Sequence, residues 1–337
     1  MKAIVYTRYG PPEVLQLQEV AKPVPTDNQV LVKVQAASVN ALDFRRFERQ
    51  SSFGRFMDGV VLKTINKVLG ADIAGQVEAV GSNVKDFQPG DAVFGVSAGS
   101  VGGFAEYACA AENQLALKPA NLSFEAAAAV PVAGLTALQG LRDKGQIQPG
   151  QKVLINGASG GVGTFAVQLA KSFGAEVTAV CSTRSLNTVR SIGADHVIDY
   201  TKEDFTKSGQ RYDLIVAVNG YHPLLDYRRA LCPGGIYVMV GGSMAQIFQG
   251  MLAGPFVSKI GNKKMGFMGI AKPNQKDLVF MGELLEAGKV VPVVDRYYPL
   301  GEAAEAVRYL VEEHARGKVV ITVERGEARP GTPGRLS

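Results

Sequence analysis

The stretch KVLINGASGGVGTFAVQLAKSF, residues 152–173, constrains the fold of this chain more than any other. An apolar, strand-like run enters a loop of small residues, Gly157-Ala158-Ser159-Gly160-Gly161-Val162-Gly163, and leaves it as an amphipathic helix. Strand, tight glycine turn and helix in that order form half of a βαβ unit, and the loop reads AxGxxG, with Ala158 where a first glycine would stand. Gly160 lets the backbone approach a pyrophosphate, and Gly163 permits close packing of helix on strand. The helix N-terminus adds unpaired N–H donors and the positive end of its dipole. A dinucleotide is the ligand this arrangement suits.

The same rhythm runs on through EVTAVC, a helix over 185–192, HVIDY, YDLIVAV, GIYVMV and finally KKMGFMGI. Apolar strands alternating with amphipathic helices predict a parallel, doubly wound sheet covered on both faces. The first 120 residues behave differently. Short β-branched runs at 3–6, 29–36, 75–80, 91–95 and 105–110 are broken by Gly, Pro and Asn, the pattern of a mostly antiparallel, barrel-like domain. NLSFEAAAA (121–129) reads as an N-cap and helix, the helical pattern resumes after Pro131, and further helices cover 275–287, capped by Gly288, and 302–312. The last strand, KVVITV, is expected to return to the N-terminal domain. This divides the chain into a discontinuous catalytic domain (1–124 and 291–325), a nucleotide-binding domain (125–290) and a disordered tail (326–337).

At 337 residues the chain is long enough for two cores. Its net charge of +5 is mild and dispersed, so nucleic acid is not implied. The local excess Arg45, Arg46, Arg49, Arg55, Lys63 and Lys67 reads either as a solvated basic loop or as the lining of an anionic ligand's path. No apolar run approaches the ~20 residues of a membrane helix, and the start, MKAIVYTRYG, lacks the apolar centre of a signal peptide, so a cytoplasmic location is expected. Cys109, Cys181 and Cys232 form no C-x-x-C pair and are expected to be buried as small apolar residues.

The choice of nucleotide falls at the end of EVTAVC. Folds that take NAD place a carboxylate there for the ribose hydroxyls, whereas this chain continues Ser182-Thr183-Arg184. Two hydroxyls and a guanidinium suit a 2′-phosphate, which favours NADPH; otherwise Arg184 merely opens the next helix at the surface.

The segments SVNALDFRR, LGADIAGQVEAVG, PGDAVFG, GGFAEYA, AAAAVPVAGLTALQGL, INGASGGVGTFAVQLAK, GADHVIDY and HARGKVVITV together make the chain resemble the medium-chain dehydrogenase/reductase superfamily over about residues 1–323. Within it the chain is similar to the quinone oxidoreductases and enone reductases. The resemblance implies an α/β architecture, a GroES-like barrel domain joined to a Rossmann domain. The zinc enzymes of the superfamily carry a Cys where Asn40 stands and Gly-His-Glu where Gly70-Ala71-Asp72 stands, and a lobe of four cysteines that is missing here. With His196, His222 and His314 far from those motifs, no metal is expected.

Bare hydride transfer suits an already polarised acceptor, so the resemblance implies reduction of a small hydrophobic quinone or enone. The alternative is a catalytically weak NADPH-binding protein of the crystallin or vesicle-protein kind. Asn40 and Asp43 are expected at the nicotinamide end of the cleft, Asn40 as donor to the acceptor oxygen, or both as the fixing of a turn. Thr136 is expected beside the nicotinamide and Tyr200 at the adenosine phosphate. Asn219, Gly220, Gly241 and Gly242 follow strand ends, where open α/β sheets bind ligands, and are expected at the nicotinamide or ribose. Lys318 is expected either at the phosphate side of the cofactor or in solvent. The apolar stretch 244–257 suits an acceptor pocket or a subunit interface, and the resemblance implies a homodimer.

Overall fold

The computed structural model describes residues 1–48, 68–220, 222–242, 262–313 and 315–323. The stretch 244–257, His314 and the expected tail lie outside the described residues.

The N-terminal part holds β1 (Lys2–Tyr6), β2 (Leu15–Glu19), β3 (Gln29–Val39), α1 (Ala41–Phe47), β4 (Asp72–Val80), β5 (Ala92–Val96), β6 (Tyr107–Ala111) and β7 (Leu115–Leu117). A helical stretch follows, α2 (Phe124–Ala128) and α3 (Pro131–Gln139). The alternating part then holds β8 (Lys152–Asn156), α4 (Gly161–Ser172), β9 (Glu176–Cys181), α5 (Leu186–Ser191), β10 (His196–Asp199), β11 (Tyr212–Ala217), α6 (Leu224–Ala230), β12 (Leu231–Met239) and β13 (Lys264–Phe267). The chain closes with α7 (Gln275–Glu286), β14 (Val294–Pro299), α8 (Ala303–Glu312) and β15 (Lys318–Thr322).

Strands β8 to β13 form one sheet in the order β10-β9-β8-β11-β12-β13, every pair parallel. The order reverses direction between β8 and β11, so a crevice opens at the carboxyl ends of those strands. Val153 and Ile155 face one apolar layer and Leu154 another, which is why these strands read as continuous apolar runs. The other large sheet runs β14-β15-β3-β4-β5-β7, with β6 also on β3, and is antiparallel except for β14 and β15. It encloses a separate core around Val30, Val32, Phe104 and Val319.

The terminal strand β15 pairs antiparallel with β3, Val319 opposite Val39 and Thr322 opposite Ala36. That return brings residues nearly 300 positions apart into one sheet and sets Lys318 beside Asn40. Three strands have no counterpart in the sequence reading, β14, which buries no residue fully, and the short β2 and β7. β2 buries little beyond Leu15 and β7 spans three residues, so neither shows a clear alternation. Of the cysteines, Cys181 is buried, while Cys109 and Cys232 are half-exposed; the expectation of three buried thiols holds for one.

Candidate functional site

The loop after β8 meets the steric demands that the glycine pattern predicts. Gly157 has φ 86°, and its N–H and that of Ala158 donate to the carbonyl of Val180 at 3.2 and 3.0 Å. A Cβ on Gly163 would lie 2.1 Å from the carbonyl oxygen of Gly157, so glycine is required for α4 to sit this close to the loop. A Cβ on Gly160 would meet nothing nearer than 3.8 Å, leaving open space above the backbone. Helix α4 starts without a side-chain cap, so its first N–H groups remain for a ligand. This cradle fits the diphosphate of a dinucleotide.

The other predicted contacts share that carboxyl edge. Ser182 and Arg184 follow β9, Tyr200 follows β10, Asn219 and Gly220 follow β11, and Gly241 and Gly242 follow β12. Tyr200 is 59% exposed, with its ring available at the rim. The expectation that no carboxylate stands near the 2′-phosphate position needs correction. Parallel pairing sets Asp199 opposite Cys181, one strand over, and Thr183 Oγ1 donates to Asp199 Oδ2 at 2.5 Å. Asp199 also accepts from the backbone N–H and hydroxyl of Thr201, and these bonds, with Thr183 the strongest, hold its carboxyl down at about 2. The Thr183 hydroxyl is therefore spent on a neighbour, and Arg184 donates to the Glu313 carbonyl at 3.1 Å.

On the facing sheet, a buried polar cluster joins four elements. Lys318, 2% exposed, donates from Nζ to Asn40 Oδ1 at 2.7 Å, to the Val39 carbonyl at 3.2 Å and to Asp72 Oδ2 at 3.3 Å. Because an ammonium can only donate, Asn40 must turn its oxygen to Lys318, and its amide nitrogen then faces Asp72 Oδ2 at 2.8 Å and the Ser38 carbonyl at 3.3 Å. Ser38 Oγ donates to Asp72 Oδ2 at 2.6 Å. The other oxygen of Asp72 accepts from the N–H of Val132 at 2.8 Å, which caps α3. Thr136 lies one turn further along that helix, half-buried, its hydroxyl bonded to the Val132 carbonyl at 2.6 Å.

Two sequence expectations change here. Both amide hydrogens of Asn40 are committed within the protein, so the amide is not aimed at an acceptor oxygen. The Lys318 ammonium is buried rather than in solvent, and its aliphatic stem reaches the loop, where a Cβ on Gly161 would lie 2.9 Å from Lys318 Cδ. Asp43 is fully buried, with Oδ2 accepting from the Asn40 N–H at 2.8 Å, which starts α1, and Oδ1 lacking a partner among the described residues. Burial first, and the charge of Asp72 further, push its carboxyl up to about 7 against the opposing hydrogen bond from Asn40.

The sequence reading missed Asp72 and Ser38 as members of this site. A signal for Asp72 existed: α3 begins at Pro131 after Val130, a residue that cannot cap, so its N–H groups required an acceptor from elsewhere. His222 packs edge-on to Phe205 and Tyr227 at 4.8 and 5.7 Å, a packing role. Among the described residues no group of three or more His, Cys, Asp or Glu could hold a metal ion.

Comparison with known proteins places this geometry in a family. Residues 26–120 match the family "Alcohol dehydrogenase GroES-like domain" and residues 192–321 the family "Zinc-binding dehydrogenase". The chain is 37% identical over 333 residues to the chloroplastic NADPH-dependent alkenal/one oxidoreductase of Arabidopsis thaliana, covering 95% of this chain and 79% of that protein. It is 34% identical to the chloroplast envelope quinone oxidoreductase homolog of the same plant, covering 95% and 98%. The solved structure of the quinone oxidoreductase from Coxiella burnetii superposes with a TM-score of 0.85 at 31% identity, covering 96% and 99%. The chain belongs to the medium-chain dehydrogenase/reductase superfamily, in its zinc-free quinone oxidoreductase and enone reductase group.

These relatives overturn the expected cytoplasmic location, since both plant proteins are named for the chloroplast. The strand-like start that prompted the expectation reports how residues 2–6 pair in a sheet, which carries no address. No described helix is long and apolar enough to cross a membrane.

Proposed function

We propose that this chain is an NADPH-dependent oxidoreductase that reduces quinones or activated alkenes, such as enones and enals, by direct hydride transfer without a metal. When bound, NADPH supplies the hydride; the protein orients it, excludes water and stabilises charge on the acceptor. The observation that carries this reading is the Lys318–Asn40–Asp72 cluster. Where the zinc enzymes of the superfamily carry a Cys and a Gly-His-Glu motif, this chain has Asn40 and Gly70-Ala71-Asp72, and the amide and carboxylate there are satisfied by each other and by the Lys318 ammonium, whose stem abuts the phosphate loop.

In this reading the loop 158–163 cradles the diphosphate, and Ser182, Thr183, Arg184 and Tyr200 surround the adenosine phosphate. Thr136, Asn219, Gly220, Gly241 and Gly242 line the nicotinamide end. Asn40, Asp43 and Lys318 hold the opposite wall in place. The relatives' names, alkenal/one oxidoreductase and quinone oxidoreductase, support the acceptor class and leave the binding-protein alternative without an observation in its favour. A homodimer is part of the same proposal: β13 has β12 on one side and no neighbour on the other among the described residues, an edge that a second copy can extend.

The test is NADPH oxidation by the purified protein against naphthoquinone, phenanthrenequinone, an alkyl vinyl ketone and 2-alkenals, with simple aldehydes as controls, with and without chelator. Chelator-insensitive turnover of quinones or enones is expected. Saturable NADPH binding with no turnover of any acceptor sinks the proposal.

A further inference from the structure

Reduction of a carbonyl-conjugated acceptor leaves negative charge on an oxygen, and a metal-free site must supply donors for it. The donors of the wall opposite the nucleotide sheet are nearly all consumed internally. Asn40 spends both amide hydrogens on Asp72 and Ser38. Lys318 spends its three on Asn40, Val39 and Asp72. Ser38 donates to Asp72 and Thr136 to Val132. Arg45 differs. It stands on α1 two residues beyond Asp43, and one Nη donates to the carbonyl of Gly242 at 2.7 Å.

That bond crosses from the barrel domain to the carboxyl edge of the parallel sheet, where β12 ends. It uses one of the five donors of a guanidinium. Arg45 is half-buried and, among the described residues, has no carboxylate within ion-pair distance, in contrast to Lys318, which is paired with Asp72. A cation partly withdrawn from water without a counter-ion costs stability, and burial does lower the pKa of this guanidinium from its ordinary value, with Glu48 opposing. An arginine remains charged under such a shift, so the cleft keeps a fixed positive group whose other donors are unspent among the described residues.

We propose that Arg45 is the residue that binds the acceptor oxygen, donating to the carbonyl of the quinone or enone and holding the negative charge that develops there. The inference rests on the reductase reading and deepens it. For an enone, delivery of hydride forms a C–H bond at the β-carbon. The alkene π pair becomes the bond between the α-carbon and the carbonyl carbon, and the carbonyl π pair settles on oxygen as an enolate against Arg45. NADP⁺ is the oxidised product, and a proton from water completes the reduction at the α-carbon. The bond to Gly242 O holds the fork at this edge, with Gly241 and Gly242 behind it.

The test compares Arg45→Met, Arg45→Lys and, as a control on the same helix, Arg46→Met, each verified as folded by circular dichroism. Arg46 donates to the exposed Gly99 carbonyl at 3.2 Å and is half-buried, its Nε without a partner among the described residues, so it controls for the general effect of removing an arginine from this helix. In Arg45→Met, kcat/KM for an alkyl vinyl ketone is expected to fall about 10²–10³-fold, the range for loss of one oxyanion donor. The Kd for NADPH should move less than about threefold, and the deuterium isotope effect with 4-deuterated NADPH should rise as the chemical step becomes limiting. Arg45→Lys should recover part of the loss, because a point charge replaces a fork, and Arg46→Met should change none of these. A readout independent of turnover is 4-nitrophenol: with NADP⁺ present, wild type should bind it as the phenolate and lower its spectroscopic pKa, and Arg45→Met should not. Equal losses of NADPH affinity and turnover in Arg45→Met would make Arg45 a tether between domains and overturn the proposal, as would unchanged turnover or unchanged phenolate binding. A wild-type protein inactive on every acceptor defeats the reductase reading itself, a result distinct from any of these.

Discussion

Two carboxylates, one at a strand end of the parallel sheet and one in the first turn of a helix of the barrel domain, have opposite characters. Asp199, at the end of β10, receives three hydrogen bonds from Thr183 and Thr201, and its carboxyl is held at about 2. Asp43, in the first turn of α1, receives one from Asn40, leaves its other oxygen unpartnered, lies near the charge of Asp72, and is pushed up to about 7. Side-chain identity is the same; the count of donors and the distance from water decide the charge. The parallel sheet thus stores a fixed negative charge beside the proposed phosphate site. The barrel domain holds a carboxyl that burial, with the charge of Asp72 adding to it, raises to about 7.

The contrast can be broken most severely at Lys318. Lys318→Met leaves Asp72 buried without its cation, and a loss of about 3–5 kcal/mol is expected in urea denaturation. A loss below about 1 kcal/mol would show that the cluster does not depend on its cation.

The next largest effect is the pH dependence. The folded pKa of Asp43 lies above its unfolded value, so the native state binds the extra proton, and this group's contribution to stability falls as pH rises from about 4 to about 7. The limiting slope is about 1.4 kcal/mol per pH unit for one proton. Asp43→Asn imitates the protonated acid, so it should lose that slope and match or exceed wild type at pH 8; parallel wild-type and variant curves between pH 4 and 7 would refute the assignment. Asp199 runs the other way. Its depressed pKa adds stability above the ordinary carboxylate range that is lost as pH falls toward 2, and Asp199→Asn should remove only this acid limb.

A smaller effect is expected on cofactor choice. Replacing Arg184 by Ala should lower the preference for NADPH over NADH about tenfold, equivalent to about 1.4 kcal/mol, measured as the ratio of their Kd values. An unchanged ratio would assign Arg184 to bonds within the protein, such as that to the Glu313 carbonyl. The smallest is Thr183→Val, which removes one donor from Asp199 and should cost about 1 kcal/mol of stability while raising the Asp199 pKa, read by carboxyl titration in NMR.

Much of this molecule was legible in its sequence. The loop 157–163, the alternation of apolar strands with helices and the return of KVVITV to the first domain all follow from local pattern, because glycine geometry and periodicity act over a few residues. The substitutions Asn40 and Ala71 at positions that hold zinc ligands in the metal enzymes of the superfamily were equally readable. Short strands such as β7 were not, since three residues carry no period.

The sequence by itself determined the two architectures, the phosphate cradle and the set of polar residues facing it. Tertiary structure alone decided which of those residues still have a hydrogen bond to offer. Asn40 meets Asp72 from 32 positions away and Lys318 from 278, Thr183 meets Asp199 across a strand, and Arg45 reaches Gly242 from 197. A donor can be spent once, and whether it is spent depends on a partner that sheet pairing brings from a distant part of the chain.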